Sequence, residues 1–177
     1  MLNDKQIAKL VKGAVKERRL YIQEHEEEYL ISNSFWLFKV NFTHKKTLQE
    51  LAEIFLSLPG TGEKKAILYK EITDNVPDIL SVFQNLQTSA HCHDLKATPF
   101  IMQEKEYVSR ILVNNEFATI IQDDFYKVFE SGELKCNGRY TPICIFDNGE
   151  LEGVIMPIKP KKQEEIDMLD RFVKIAA

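Results

Sequence analysis

The feature that most constrains the fold is the stretch 141–160, in which two apolar runs flank Asn148-Gly149 and lead into Met156-Pro157. Asn-Gly between apolar runs is a strong hairpin signal, because both residues tolerate the positive φ of a tight turn. With these two residues at the tip, three cross-strand pairs are expected: Phe146 with Leu151, Cys144 with Gly153 and Ile143 with Val154. Because both faces of this hairpin are apolar, we expect it to be covered on both sides and to serve as scaffold.

The remaining patterns predict an α+β fold of antiparallel sheets with helices. Apolar residues at helical spacing follow Asn3, Thr47 and Asp74 or Asn75, each of which is a suitable N-cap. Asn3 with Gln6, and Thr47 with Glu50, have the spacing of a capping box. We expect a single domain over 1–177, with 161–177 as a C-terminal helical appendage.

Two further details follow from local composition. The polar segment 87–98 predicts a loop. An aromatic hairpin is expected around Ser32-Asn33-Ser34, and a turn centred on Asn33-Ser34 predicts three cross-strand pairs: Ile31 with Trp36, Tyr29 with Phe38 and Glu28 with Lys39.

Composition excludes several classes of protein. The 177 residues are 44% hydrophobic and 28% charged, which is typical of a globular domain that can bury its own core. No apolar run reaches the roughly 18 residues of a transmembrane helix, and the first residues lack the apolar core of a secretory signal. We therefore expect a cytoplasmic protein without a membrane partner, whose three cysteines are reduced thiols.

The net charge of −4 hides a basic N-terminal segment. Between Met1 and Leu20 there are two acidic residues and six basic ones, a local charge of +4; the basic residues are Lys5, Lys9, Lys12, Lys16, Arg18 and Arg19. The lysines recur mostly every four residues, which predicts a ridge along a helix rather than a scatter. Such a ridge is either a solvated face or a surface that contacts nucleic-acid phosphates.

Three segments suggest chemistry that their context disfavours. Both histidines of His91-Cys92-His93 would point the same way on an extended chain, but no further metal ligands lie at a zinc-site spacing. Gly60-Thr61-Gly62-Glu63-Lys64-Lys65 follows a helix and precedes a strand, the reverse of a phosphate-binding loop. Asp123-Asp124 is explained by capping and the dipole of a short helix. We expect no metal, no cofactor and no enzymatic activity.

The aromatic hairpin is the alternative candidate for a binding site. Trp36, Phe38 and Phe42 cluster in sequence and would suit a protein partner, although aromatic residues of strands are normally core.

An order of elements recurs in the chain. Both 4–41 and 123–159 are expected to form a helix, a short strand and a strand-turn-strand hairpin, without sequence identity between them. This order, with the tail Val154-Ile155-Met156-Pro157-Ile158-Lys159, resembles one domain of the DNA polymerase sliding clamps, whose domains consist of two such halves. The resemblance covers about the last 45 residues well and the first 40 loosely.

The resemblance implies a non-enzymatic, clamp-like accessory protein that binds DNA or a replication protein, of the kind that phages and mobile elements carry. A ring would require a homo-oligomer of many subunits, since the chain has room for one clamp domain. The alternatives are a protein-interaction module without nucleic-acid contact and an enzyme whose site is assembled only in space.

Overall fold

A computed structural model describes residues 1–69, 71–103 and 107–176. It is α+β, and its contacts cluster into two compact units, Leu2–Thr88 and the part that begins at Ser89. The single-domain prediction for 1–177 and the appendage prediction for 161–177 stay predictions; residue 177 lies outside the described residues. In the described part of the chain, no helix is long and apolar enough to cross a membrane.

The first unit combines helices with an antiparallel sheet. In chain order its elements are α1 (Asp4–Lys16), β1 (Arg19–His25), β2 (Glu28–Ser32), β3 (Trp36–Val40), α2 (Lys45–Phe55), β4 (Lys64–Leu68), β5 (Glu71–Thr73) and α3 (Ile79–Thr88). The strands lie in the order β5-β4-β1-β2-β3. Helix α1 packs against α2 and β1, whereas α3 contacts β1 and β2.

The first helix starts as predicted, because the Asn3 side chain accepts a hydrogen bond from the Gln6 amide at 3.1 Å. The prediction for the second helix was wrong, since α2 starts at Lys45, two residues before Thr47. Its first amides are capped from α1: the Asp4 carboxylate accepts the N–H groups of Lys46 and Thr47, both at 2.9 Å. A carboxylate 43 residues away therefore replaces the expected local capping box.

The start of the third helix and the following loop also differ from expectation. Helix α3 begins at Ile79, where Asp78 accepts the Ser81 amide at 3.3 Å, and not at Asp74 or Asn75. The supposed loop 87–98 contains the end of α3 and the beginning of a strand that starts at His93. That strand shows little alternation between polar and apolar residues, which is why its sequence suggested a loop.

The second unit has a longer antiparallel sheet. Its elements are β6 (His93–Gln103), β7 (Val108–Val113), β8 (Ala118–Gln122), α4 (Asp123–Tyr126), β9 (Glu133–Cys136), β10 (Ile143–Asp147), β11 (Glu150–Ile155) and α5 (Gln163–Ala176). The strands lie in the order β11-β10-β9-β6-β7-β8. Leu169 of α5 is buried against Ile111, Val113 and Ile120 of the sheet.

The β10–β11 hairpin is confirmed, with one change of register. Asn148 and Gly149 form the tip with φ of 52° and 85°, and Phe146 pairs with Leu151 as predicted. A β-bulge between Ile145 and Phe146 then shifts the ladder by one residue. Cys144 therefore pairs with Val154 instead of Gly153, and Ile143 pairs with Ile155 instead of Val154.

The β2–β3 hairpin was predicted with too short a turn. Ile31 pairs with Phe38, Tyr29 with Val40 and Leu30 with Lys39. The Asn33 side chain accepts the amides of Phe35 and Trp36, at 3.0 Å and 3.3 Å, and the Asn33 amide binds the Trp36 carbonyl. Because Trp36 is hydrogen-bonded to Asn33, it closes the turn and does not pair with Ile31.

Candidate nucleic-acid interface

The basic residues of α1 form one narrow stripe. Ile7, Val11 and Ala14 are buried, at 0%, 0% and 1% exposure, and define the inward face of the helix. At about 100° per residue, the four lysines fall within an arc of about 60° on the opposite side. These residues are Lys5, Lys9, Lys12 and Lys16, and all four are exposed. The core-facing pattern of α1 therefore directs four cations into solvent along one line.

Two arginines extend this stripe beyond the helix. Arg18 turns the chain between α1 and β1 with a φ of 61°, and Arg19 is the first residue of β1. Both are exposed. Among the described residues, no carboxylate lies within ion-pair distance of Lys5, Lys16, Arg18 or Arg19. These cations are available to an external anion.

Lys12 of the stripe forms an ion pair with a carboxylate of the protein. Its Nζ lies 2.7 Å from Oε1 of Glu50 on α2, and its side chain is 59% exposed. The hydrogen bond that Lys12 donates to Glu50, together with the charge of that carboxylate, raises the pKa of Lys12. An approaching phosphate would have to compete with Glu50 for this cation.

Asp4 fixes α2 against α1 and positions two further lysines. Besides the two amides, its carboxylate accepts the Thr47 hydroxyl at 2.7 Å. Burial alone would raise the pKa of Asp4, but the hydrogen bonds from Lys46 and Thr47 hold it below its ordinary value. Lys45 and Lys46 are exposed at the start of α2, next to the first turn of α1. Sequence reasoning missed them, although the adjacent pair of lysines is visible in the sequence.

The aromatic candidates do not form one surface. Trp36 is 2% exposed and Phe38 is 0% exposed, and their rings stack with centroids 5.2 Å apart. Phe42 is 80% exposed and Phe35 is 53% exposed, but the two flank opposite ends of β3. The five residues of β3 that lie between them span about 17 Å. Protein binding through these aromatics stays a prediction, for which Phe42 is the only proposed side chain on the surface.

The histidine segment lies at the start of β6. His93 Nδ1 is 3.8 Å from Oε1 of Glu116, and its ring packs edge-on against Phe117. Cys92 is exposed, whereas burial raises the pKa of the Cys144 thiol to about 12. In the part of the chain that the structure describes, no group of three or more His, Cys, Asp and Glu residues could hold a metal ion.

The glycine-rich segment follows α2 and ends within β4, the context that argued against a phosphate-binding loop. The Gly62 amide donates to the Glu24 carboxylate, which also accepts the Glu27 amide at 2.9 Å. These two hydrogen bonds lower the pKa of Glu24. The Gly62 amide, which a bound phosphate would need as a donor, already donates to a carboxylate of the protein.

The paired aspartates begin α4, and Asp123 is an ion-pair centre. Its carboxylate lies 2.8 Å from Arg110 Nε and 2.9 Å from Lys127 Nζ, and its side chain is 8% exposed. Burial by itself would raise the pKa of Asp123, but the bonds from Lys127 and Arg110 lower it. This geometry attaches α4 to β7.

Comparison of the chain with models of protein families, with curated proteins and with solved structures finds no match. The likeness to sliding clamps therefore remains a resemblance of element order and of a short tail.

Proposed function

We propose that this protein is a non-enzymatic accessory protein that binds the phosphate backbone of DNA through α1. The observation that carries the proposal is the narrow arc of four exposed lysines opposite the buried face of the helix. Phosphate contacts provide most of the affinity in sequence-independent binding, and they require cations aligned on one accessible surface.

The dimensions of the stripe suit a duplex. Lys5 and Lys16 are eleven positions apart, which corresponds to about 16 Å along the helix axis. A duplex carries one phosphate charge per roughly 1.7 Å of its axis, so several phosphates lie within that length. Arg18 and Arg19 extend the cationic surface at one end, and Lys45 and Lys46 extend it at the other.

The finer proposal is a clamp-like architecture. In the first unit, α1 is followed by the antiparallel strands β1, β2 and β3; in the second unit, α4 is followed by β9, β10 and β11. The repeated order supports the proposal. The two helices are unlike, because α4 has four residues and begins with two aspartates. We accordingly assign DNA contact to α1 alone, and a ring would need several copies of the chain.

The test compares two double variants that remove the same charge. Lys5→Ala with Lys16→Ala removes two unpaired cations of the stripe, whereas Lys161→Ala with Lys162→Ala removes two exposed cations before α5. Fluorescence anisotropy of a labelled 20-base-pair duplex measures the binding affinity. The first variant should bind about tenfold to a hundredfold more weakly than wild type, because each lost phosphate contact costs roughly 1 kcal/mol.

The control variant should bind within about twofold of wild type, because its lysines lie outside the stripe. Equal losses for the two variants would show that only the net charge matters. Absence of wild-type binding at low salt would contradict the proposal outright. Circular dichroism provides the folding control, and alanine is a stronger helix former than lysine.

A further inference from the structure

The second unit contains a cavity of about 420 Å³ at the point where β6 loses one of its neighbours. On one edge of β6, pairing with β9 ends at Leu95 opposite Leu134. On the other edge, Lys96 and Ala97 continue to pair with β7. Among the described residues, no strand pairs with Lys96 or Ala97 on the β9 side. Both residues line the cavity.

The walls of the cavity are largely apolar. Leu95 and Leu134 are buried at 6% and 5% exposure, and Tyr126 and Phe129 contribute two rings whose centroids lie 6.0 Å apart. The Arg110 guanidinium lies 4.6 Å from the centre of the Tyr126 ring. Because Arg110 is itself bound to Asp123, this ring is held in place before any ligand arrives.

A glycine lines one side of the cavity. Gly132 lines it with a φ of 117°, a conformation that L side chains rarely adopt. A Cβ at this position would overlap the carbonyl oxygen of Phe146. The chain can therefore turn here only without a side chain.

The charges at the rim are arranged unevenly. Asp94 and Glu133 both lie near Lys135, whose Nζ is 3.9 Å and 2.7 Å from their carboxylates. Lys96 lines the cavity and is exposed, and no described carboxylate lies within ion-pair distance of it. A ligand with an anionic group beside its apolar part would complement this lysine.

We infer that the cavity binds an extended segment of a partner protein, with an apolar side chain packed against the rings of Tyr126 and Phe129 and an acidic residue near Lys96. The unpaired edge of β6 identifies the class of ligand. Alternate residues of an antiparallel strand present an N–H and a C=O to the same side, and an added strand is the partner that matches this spacing. The volume suits one or two anchoring side chains.

The test uses a random 12-residue peptide library displayed on phage, with the full chain as bait. Selected peptides are synthesised and their binding is measured by calorimetry. We expect clones that share an apolar residue with an acidic residue close to it. N-methylation at alternate positions should abolish their binding, whereas methylation at the intervening positions should not, because only one set of amides faces β6.

Two variants locate the site. Ala97→Trp fills the cavity and should weaken the selected peptides by at least about tenfold, which is the effect expected when an anchoring contact is lost. Lys96→Glu should weaken the binding of peptides that carry the acidic residue, because it replaces the complementary cation with a negative charge. Ile101→Trp is the matched control, since Ile101 is a 55% exposed residue of the same strand outside the cavity lining.

Each remaining outcome overturns the inference. Either no clone binds, or Ala97→Trp binds the clones as well as Ile101→Trp does. A third contrary outcome is that the peptides lose binding to Ala97→Trp but tolerate N-methylation at every position. The cavity would then bind an apolar side chain without a peptide strand pairing with β6.

Discussion

At the scale of single residues, Glu50 is a direct competitor of the proposed DNA contact. Its carboxylate lies 2.7 Å from Lys12 of the stripe, and Glu53 adds a second negative charge near that lysine. The two glutamates therefore limit the positive potential of the α1 surface.

The variant Glu50→Gln should strengthen duplex binding by about threefold to tenfold, because one phosphate contact becomes available without a competing carboxylate. The measurement is the same anisotropy titration. Glu17→Gln serves as the control, since Glu17 is exposed immediately after α1 and has no ion pair with a described residue. Unchanged or weaker binding of Glu50→Gln would place the DNA contact away from Lys12.

Asp123 makes stability depend on pH. Its folded pKa lies below the ordinary value of 3.8. The carboxylate therefore contributes stability that is fully present above about pH 4 and is lost as the pH falls through the lower folded pKa. Asp123→Asn should lower the free energy of unfolding by about 2 kcal/mol at pH 7, because it removes the buried carboxylate shared by Arg110 and Lys127, which are themselves partly exposed.

Urea denaturation followed by circular dichroism checks this prediction at pH 7, 5 and 3. The difference between wild type and Asp123→Asn should shrink at the lowest pH, where the wild-type carboxyl takes up a proton. Asp94→Asn is the control, because the Asp94 side chain is 80% exposed and lies 3.9 Å from its cation. A difference that stays constant over this range would mean that the ion pair does not titrate as described.

Residue roles were predictable where the partner is near in sequence. Asn3 caps α1 through Gln6, three residues away, and that bond is present. Asp4 caps α2 across 43 residues and Asp123 pairs with Arg110 across 13. Nothing in the sequence around Thr47 indicates that Asp4 caps α2. The packing of α1 against α2 determines which carboxylate reaches the start of this helix.

At the scale of elements, the turn residues were the most reliable signals. Asn148-Gly149 lies at the tip of the β10–β11 hairpin, as its sequence predicts. The β1–β2 turn was missed. It consists of Glu26 and Glu27, both at positive φ, which are not typical turn residues. The bulge in the β10–β11 hairpin was missed as well, although Gly153, which pairs with Ile145 beside it, is a residue type that often marks a bulge within a strand.

Two glycines permit a comparison between elements. Gly149 lies at the hairpin tip with positive φ, whereas Gly13 lies within α1, and neither would place a Cβ within 4 Å of another atom. Gly149→Ala should destabilise the protein by about 1 kcal/mol, since the turn requires a left-handed residue. Gly13→Ala should stabilise it by up to about 1 kcal/mol through helix propensity.

Hydrogen exchange locates both effects, with faster exchange expected in β10 and β11 and slower exchange in α1. Because an added Cβ meets no neighbouring atom at either site, opposite changes in stability can be attributed to the backbone conformation of the two glycines. Stabilisation by Gly149→Ala would show that the tip does not require positive φ.

At the scale of the whole molecule, the α+β class was evident from the alternating helical and strand patterns. The division of contacts into Leu2–Thr88 and the remainder was not, because no linker of distinctive composition separates α3 from β6. The positions of the basic residues on one helical face could be predicted from their spacing. The ion pair of Lys12 with Glu50 could not, since it depends on the packing of α1 against α2.

The measurement that tests the central claim most directly is the salt dependence of duplex binding by the wild-type chain. With four or five phosphate contacts from α1 and its flanking cations, the logarithm of affinity should fall against the logarithm of salt with a slope of about −4. Affinity would then drop by about 250-fold between 50 mM and 200 mM salt. A slope near zero, or no binding at 50 mM salt, would contradict a contact made by the α1 stripe with the phosphate backbone.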